Sequence, residues 1–391
     1  MRLLFVCPDM GIGGAERHWA TLIPALADRG LEVKLLALAG TGPFFEEVAA
    51  RGVPAECLDL RRRTDPGGLR RTLAVSADFA PDAVVTRGVS GQLVGEAIAR
   101  RARSAGLRPR ARPAGLRPRA RPAGPRRHGR AAHVYNEHTP LTPTGRLVPP
   151  RPHQRALTRL VARAIDDVVA VTDRQVPPLE ALGYPRGRIE VVPNGVFARE
   201  VEGVSPSDEL AGDGFTVLCV SSLRPEKRVD LFIESVGAAR RQNRAIRGYV
   251  AGDGRERERL EPLAAAHEVT LLGARRDVLE LVAAAGAVCL PSEAEAMPFS
   301  ILEAMALARP VVATDVGGTR DQVVPGETGY LVAPGDGGAI ERALVELAAD
   351  RSRAEAMGAA GRRLQRERFS GERMVDGYES AFERAVGRGQ A

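Results

Sequence analysis

Lysine is nearly missing from this chain. Of 56 basic residues among 391, only Lys34 and Lys227 are lysines, and the rest are arginine. A lysine is a compact point charge where arginine is a planar fork, so each lysine position invites a specific reason. Aromatic residues make up 4%. The four cysteines, Cys7, Cys57, Cys219 and Cys289, are far apart and none forms a C-x-x-C pair. Three of them fall in apolar strand-like runs, where cysteine behaves as a small hydrophobe, and a reducing cytoplasm fits this usage. No apolar run reaches the ~18 residues of a membrane span. The run Leu3-Leu4-Phe5-Val6 behind a single arginine is too short for a secretory signal. There is no D-x-D tripeptide, so a bound divalent metal is not suggested.

The formal charge of +7 is unevenly spread. Residues 1–200 carry 32 basic and 19 acidic side chains, while residues 201–391 carry 24 and 30. The stretch 100–130 holds 12 arginines and no acid, and contains a tandem repeat, GLRPRARPA, at 106–114 and 115–123. Alternating proline and arginine builds neither a helix nor a core, so a disordered insertion is expected there. Without it the first half is nearly neutral. The stretch has no aromatic residue to stack on bases, which argues against a nucleic-acid partner. A basic arm touching anionic lipid is the remaining functional reading, and peripheral membrane contact is carried as an expectation.

Strand-like runs alternate with helical spacing. Strands are expected at 2–7, 32–38, 82–86, 132–136 and 167–172, then at 215–221, 246–251, 269–272, 286–290, 310–314 and 329–332. Trp19, Leu22, Ile23 and Leu26 repeat at helical intervals, Pro24 lies inside that helix, and Gly30 ends it. Such alternation implies an α/β fold with parallel sheets and ligands at the carboxyl ends of strands. The polar stretch 198–214, with Gly203, Pro206, Gly212 and Gly214, reads as a linker. Two Rossmann-like domains result, 1–198 and 215–370, joined by 199–214. A last helix within 371–391 is a candidate to cross back to the first domain.

Four segments carry candidate chemistry. The loop Pro8–Arg17 places Gly11, Gly13 and Gly14 between a strand and a helix, where backbone N–H groups can approach an anion. Glu16 stands where a dinucleotide fingerprint needs its third glycine. A plain tight turn explains the same glycines. The loop Ser221–Arg228 offers Arg224, Lys227 and Arg228 at a strand end, suited to a diphosphate. In the run PSEAEAMPFSILEAMA, Glu295 lies in a loop and Glu303 in an early helical turn. The helix start offers N–H groups to phosphate, and a carboxylate can accept both hydroxyls of a ribose. Ser300 and Glu303 also fit a capping box, which would explain Glu303 without any ligand. The fourth segment, PVVATDVGGTRD, is one further strand, glycine turn and helix.

Together these segments resemble glycosyltransferase family four, whose members have the GT-B fold. The resemblance rests on GGAER, VVPNGV, SLRPEKRVDLFIE and PSEAEAMPFSILEAMALARPVVATDVGGTRDQV, and covers both halves outside 100–130. It implies a nucleoside diphosphate sugar bound mainly by the second domain, with UDP favoured, and an acceptor bound mainly by the first. The acceptor is left as a sugar, a lipid-linked sugar or a small molecule. Lys227 and Arg224 would neutralise the leaving diphosphate, and Glu295 would contact the transferred sugar. Glu303 would hold the ribose, and backbone N–H groups at Phe299, Ser300 and Ile301 would cradle phosphate. Gly13 and Gly14 would close the cleft, with His138, in YNEHT, beside the sugar. Retention of configuration and catalysis without a metal or cofactor are also implied.

Three positions depart from the family pattern. Ser222 stands where arginine is common, so that Arg224 or Arg228 would have to supply the charge. Ala296 and Ala308 stand where glycine is usual, and either narrow the sugar pocket or change nothing. A nucleotide-sugar epimerase or hydrolase on the same fold, and a binding protein without catalysis, are the competing readings.

Overall fold

A computed structural model describes residues 1–60, 66–104, 131–147 and 152–390. The Arg/Pro repeat at 106–123 lies outside the described residues. Among those described, thirteen strands form two sheets. The first contains β1 (Arg2–Cys7), β2 (Glu32–Ala37), β3 (Ala55–Cys57), β4 (Ala83–Thr86), β5 (Ala132–Glu137), β6 (Asp167–Ala170) and β7 (Ile189–Val191), in the order β3-β2-β1-β4-β5-β6-β7. The second contains β8 (Phe215–Val220), β9 (Ile246–Ala251), β10 (Val269–Gly273), β11 (Ala287–Leu290), β12 (Val311–Thr314) and β13 (Gly329–Val332), in the order β10-β9-β8-β11-β12-β13. Neighbouring strands are parallel throughout. Two parallel, doubly wound sheets make this an α/β fold of two Rossmann-like domains.

The strands are continuous apolar runs because helices cover both faces. β1 is buried from Leu3 to Cys7. The first helix, Gly14–Asp28, turns Trp19, Leu22, Ile23 and Leu26 into the same core, and Gly30 leaves it at φ 85°. Pro24 is accommodated within that helix. β3 and β7 escape a sequence reading because each is three residues long with an acid at its centre, Glu56 and Glu190.

The C-terminal helix, Gly371–Gln390, returns to the first domain. Its Met374, Val375, Tyr378, Ala381, Phe382 and Ala385 join the core of β1 and the first helix. Phe5 meets Trp19 and Phe382 edge-on, at 5.1 and 6.2 Å. Burying Tyr378 and Phe382 contributes about 1.5–3 kcal/mol each to this docking. The two chain crossings between domains are hydrogen bonded to one another. Val196 N donates to Phe369 O at 3.1 Å, and Gly371 N donates to Val196 O at 3.0 Å. Gly195 permits that approach, since a Cβ there would stand 2.4 Å from the Ser370 carbonyl oxygen.

The polar connection after β7 is not featureless. It contains the short helix Ala198–Val201 and a turn at Asp208–Leu210, anchored by buried Phe197 and Leu210. No helix among the described residues is long and apolar enough to cross a membrane.

Candidate functional site

In each sheet the strand order reverses between two neighbours, β1 and β4 in the first, β8 and β11 in the second. Loops leaving such neighbours diverge and open a crevice at the carboxyl ends. The glycine loop follows β1 and Arg87 follows β4. The Lys227 loop follows β8 and the Glu295 loop follows β11. The fold thus brings three of the four candidate segments to its two switch points.

On the first-domain side, the Glu16 carboxylate folds back over the glycine loop and pairs with buried Arg87 at 2.6 Å. Arg87 also donates to the Asp9 carbonyl at 2.7 Å and lies over the Trp19 ring. A Cβ on Gly13 would come within 2.3 Å of the Glu16 carboxylate, so the glycine makes room for this side chain. Gly14 is exposed, and a Cβ there would meet nothing.

On the second-domain side, Lys227 Nζ donates to Glu295 Oε1 at 2.6 Å, and Ser292 Oγ donates to the same oxygen at 2.7 Å. Glu295 is 5% exposed. Its loop is held from both sides. Leu141 of the first domain exchanges two backbone hydrogen bonds with Glu295, at 2.8 and 3.2 Å. Gly318 N donates to Ala296 O at 2.7 Å. Gly317, at φ 50°, leaves no space for a side chain, because a Cβ would overlap the Glu295 carbonyl. The glycine pair of the fourth segment is therefore a seat for the Glu295 loop.

The neighbouring arginines do not join this pair. Arg224 has a side chain 58% exposed, with Glu226 4.0 Å away, and so lies outside the buried group. Arg228 adopts φ 49° and is held by Glu293 at 2.6 Å and Asp230 at 3.1 Å. Arg228 is thus held by two carboxylates and Arg224 lies exposed, so neither shares the buried Lys227–Glu295 group. The half-buried Ser222 takes part through its carbonyl, which accepts from Arg224 N at 2.9 Å.

Glu303 is 7% exposed in the site helix, Phe299–Ala306. The capping-box alternative fails, because the residue before the helix is Pro298 and no side chain caps the first turn. Ser300 is already inside the helix. The first-turn N–H groups of Phe299, Ser300 and Ile301 have no partner within the helix. Among the described residues no hydrogen bond reaches the Glu303 carboxylate; its ion pair is Arg17 Nε at 3.8 Å. Burial pushes its carboxyl above the usual range, against the pull of Arg17.

His138, just after β5, packs its ring on that of His18, centroids 4.4 Å apart. Asn136 Oδ1 lies 2.9 Å from His138 Nε2 and accepts from Trp19 Nε1 at 2.8 Å. Trp19 can only donate, so the atom facing it is the amide oxygen. His138 Nε2 then carries the hydrogen and Nδ1 the lone pair. Asn136 Nδ2 is 2.5 Å from Tyr378 OH, so the C-terminal helix fixes this tautomer. Burial pulls His138 well below the usual histidine range and His18 down to about 3. Phe299 of the second domain lies 6.4 Å from His18.

Two family models match the chain. Residues 13–195 match a glycosyl transferase 4-like domain, and residues 214–350 match the glycosyl transferases group 1. Together the two models cover most of the chain, which belongs to the family-four type of glycosyltransferases. It is 32% identical over 243 residues to a D-inositol 3-phosphate glycosyltransferase of Kribbella flavida, covering 54% of this chain and 55% of that one. It is also 32% identical over 236 residues to an exopolysaccharide phosphotransferase of Streptomyces coelicolor, covering 59% of this chain and 24% of that one. These matches span about half or less of the relatives' length. The fold matches that of Anabaena HepE, solved with UDP, with a TM-score of 0.77 at 19% identity over 98% of this chain and 100% of that one.

Within this glycosyltransferase the two alanine departures separate. Ala296 carries no positive φ. Ala308 follows the far end of the site helix and adopts φ 56°, a conformation glycine takes without cost. Its consequence is backbone strain, not a narrower pocket. A reading of the sequence missed Arg17, His18, Asn136 and Tyr378. Arg17 sits in the same motif as Gly13 and Gly14 and His18 follows it directly, but nothing in their spacing says which way they face. Tyr378 reaches the site only because the last helix crosses back.

Proposed function

We propose that this glycosyltransferase moves a hexosyl or N-acetylhexosaminyl group from a nucleoside diphosphate sugar to an acceptor hydroxyl, with retention and without a metal or cofactor. The observation that carries the reading is Glu303. A buried carboxylate with no hydrogen-bond donor is costly. Here it lies in a helix whose first-turn N–H groups are uncapped. A ribose diol supplies donors for the carboxylate, and a phosphate supplies acceptors for Phe299, Ser300 and Ile301. Uridine is favoured because HepE, which shares the fold, was solved with UDP.

The chemistry follows from the charges. Breaking the anomeric bond builds negative charge on the diphosphate and positive charge on the ring. Lys227 and the helix N–H groups meet the first without rearranging. Glu295, already aimed by Lys227 and Ser292, meets the sugar. His138 Nδ1, held as a lone pair, accepts from a sugar hydroxyl. A leaving phosphate oxygen takes the acceptor proton, which keeps attack and departure on one face. Gly13 and Gly14 close the cleft above the donor. The reading places the protein in the cytoplasm, where such donors are made, with peripheral membrane contact when the acceptor is lipid-linked.

One observation favours a second reading, a protein that binds donor without turnover. Lys227 and Arg228 are each paired with a carboxylate and Arg224 is exposed, so a diphosphate would have to draw these cations from their present positions. NMR of the protein with UDP-sugars and pooled sugar acceptors separates the readings. Acceptor-dependent nucleotide release, with a new anomeric signal of unchanged configuration, supports transfer. Release of free sugar at full rate without acceptor identifies a hydrolase or epimerase. Binding without release identifies the second reading.

A further inference from the structure

Arg17 belongs to the GGAER motif and is the ion-pair partner of Glu303, but the proposed reaction gives it no role. Its guanidinium meets three carboxylates from three elements. Nε is 3.8 Å from Glu303 Oε1 in the site helix. Nη2 donates to Glu200 Oε2 at 3.2 Å, in the short helix of the interdomain connection. Nη1 is 3.7 Å from Glu47 Oε1, in the helix Pro43–Ala50. One residue of the first domain thus touches the second domain and the connection between them.

We propose that Arg17 is a positioning residue of the donor site, holding the Glu303 carboxylate in aim for the two ribose hydroxyls from across the interdomain cleft. This rests on reading Glu303 as the ribose acceptor.

The geometry distinguishes help from competition. A bidentate Arg–carboxylate pair would occupy the oxygens that a ribose needs. At 3.8 Å, Arg17 supplies its charge but no hydrogen bond, and leaves both Glu303 oxygens free to accept. Its hydrogen bond goes to Glu200 instead, which anchors the guanidinium. The charged groups facing Glu303 across this junction are Arg17 and Glu200, with Glu47 behind the guanidinium. Three carboxylates therefore gather round Arg17; Arg199 also acts on Glu200, while Arg17 is the cation facing Glu303. Burial pushes both Glu303 and Glu200 up, and Arg17 pulls both back. Without Arg17 the Glu303 carboxylate loses the cation that faces it, while Glu200 keeps Arg199, and Glu303 takes a proton more readily. A protonated Glu303 accepts poorly from a ribose.

The test is calorimetric titration of UDP and of GDP into wild type, Arg17→Gln, Arg17→Lys, Glu303→Gln and the double variant Arg17→Gln/Glu303→Gln. It is run as a pH series, since a carboxyl raised by burial takes its proton earlier than a free one as pH falls. Arg17→Gln should weaken binding about tenfold, the size of one lost charged contact. Its affinity should also begin to fall at a higher pH than that of wild type. Arg17→Lys should recover most of the affinity. In the Glu303→Gln background the Arg17 effect should largely vanish. Arg17→Gln binding as tightly as wild type with the same pH profile, or more tightly, overturns the proposal. So does an Arg17 effect undiminished by Glu303→Gln. If Glu303→Gln alone binds as wild type does, the ribose reading itself falls. A weakened Glu303→Gln beside an unaffected Arg17→Gln removes only the role of Arg17.

Discussion

Replacing Lys227 by alanine separates the electrostatic role of this lysine from its structural one. Lys227 and Ser292 both donate to Glu295 Oε1, and Glu295 is 5% exposed. Lys227→Ala leaves that carboxylate buried with one neutral donor. Removing one partner of a buried pair costs about 3–5 kcal/mol. The lysine side chain is 18% exposed, so water softens the loss, and about 2–3 kcal/mol is expected. For a domain of this size that is a fall in Tm of roughly 4–12 °C. Turnover should fall by on the order of 10²-fold or more, as lost charge stabilisation does. The double variant Lys227→Ala/Glu295→Gln removes the orphaned charge. It should regain most of the lost Tm and none of the lost turnover, with Glu295→Gln alone as reference. Scanning calorimetry and nucleotide release read the two effects. Near-normal turnover in Lys227→Ala would show that the lysine is not the phosphate cation. Turnover restored in the double variant would show that it acts only by holding the loop.

Glu303→Gln should weaken nucleoside diphosphate binding about tenfold while leaving Tm unchanged or higher, since a buried charge is removed; a loss of about 1 kcal/mol of stability with unchanged binding would restore the capping explanation. Ala308→Gly should raise stability by up to about 1 kcal/mol in urea unfolding, because relief of the left-handed alanine outweighs the entropy of glycine. His18 and His138 stay neutral in the fold, and the unfolded chain protonates them near pH 6.5, so their contribution is full above that pH and is lost as pH falls below it. The loss is at most about 1.4 kcal/mol per pH unit for each histidine. Raised carboxyls such as Asp167, pushed up to about 6, act in the opposite direction. The diagnostic is therefore His18→Phe, whose Tm should fall less than that of wild type between pH 7.5 and 5.5. Deleting residues 105–123 should leave turnover and Tm near wild type, and loss of folding would contradict the reading of that repeat as an insertion.

The strand–helix alternation was legible because buried parallel strands are continuous apolar runs. β3 and β7, short and centred on Glu56 and Glu190, carry no such signal. Glu295 and Lys227 could be proposed from strand-end loops, but their pairing is a contact between residues 68 apart. The capping box at Ser300 and Glu303 was locally plausible and wrong by two positions, because the helix begins at Phe299 behind Pro298. Arg224 and Arg228 looked equivalent in the sequence. Glu293 and Asp230 bind Arg228, and exposure sets Arg224 apart. The seat that Gly317 and Gly318 give the Glu295 loop, and the tautomer that Trp19, Asn136 and Tyr378 impose on His138, exist only once distant segments meet.

The most direct test of the donor cleft is a thermal-shift screen against UDP, GDP, ADP, dTDP and their sugar conjugates, on wild type and Glu303→Gln in parallel. A ligand at ~100 times its dissociation constant adds about 2.7 kcal/mol of stability. The account predicts a clear upward shift with one base family, UDP foremost, that shrinks in Glu303→Gln. No shift with any of these ligands, from a folded sample, would contradict it.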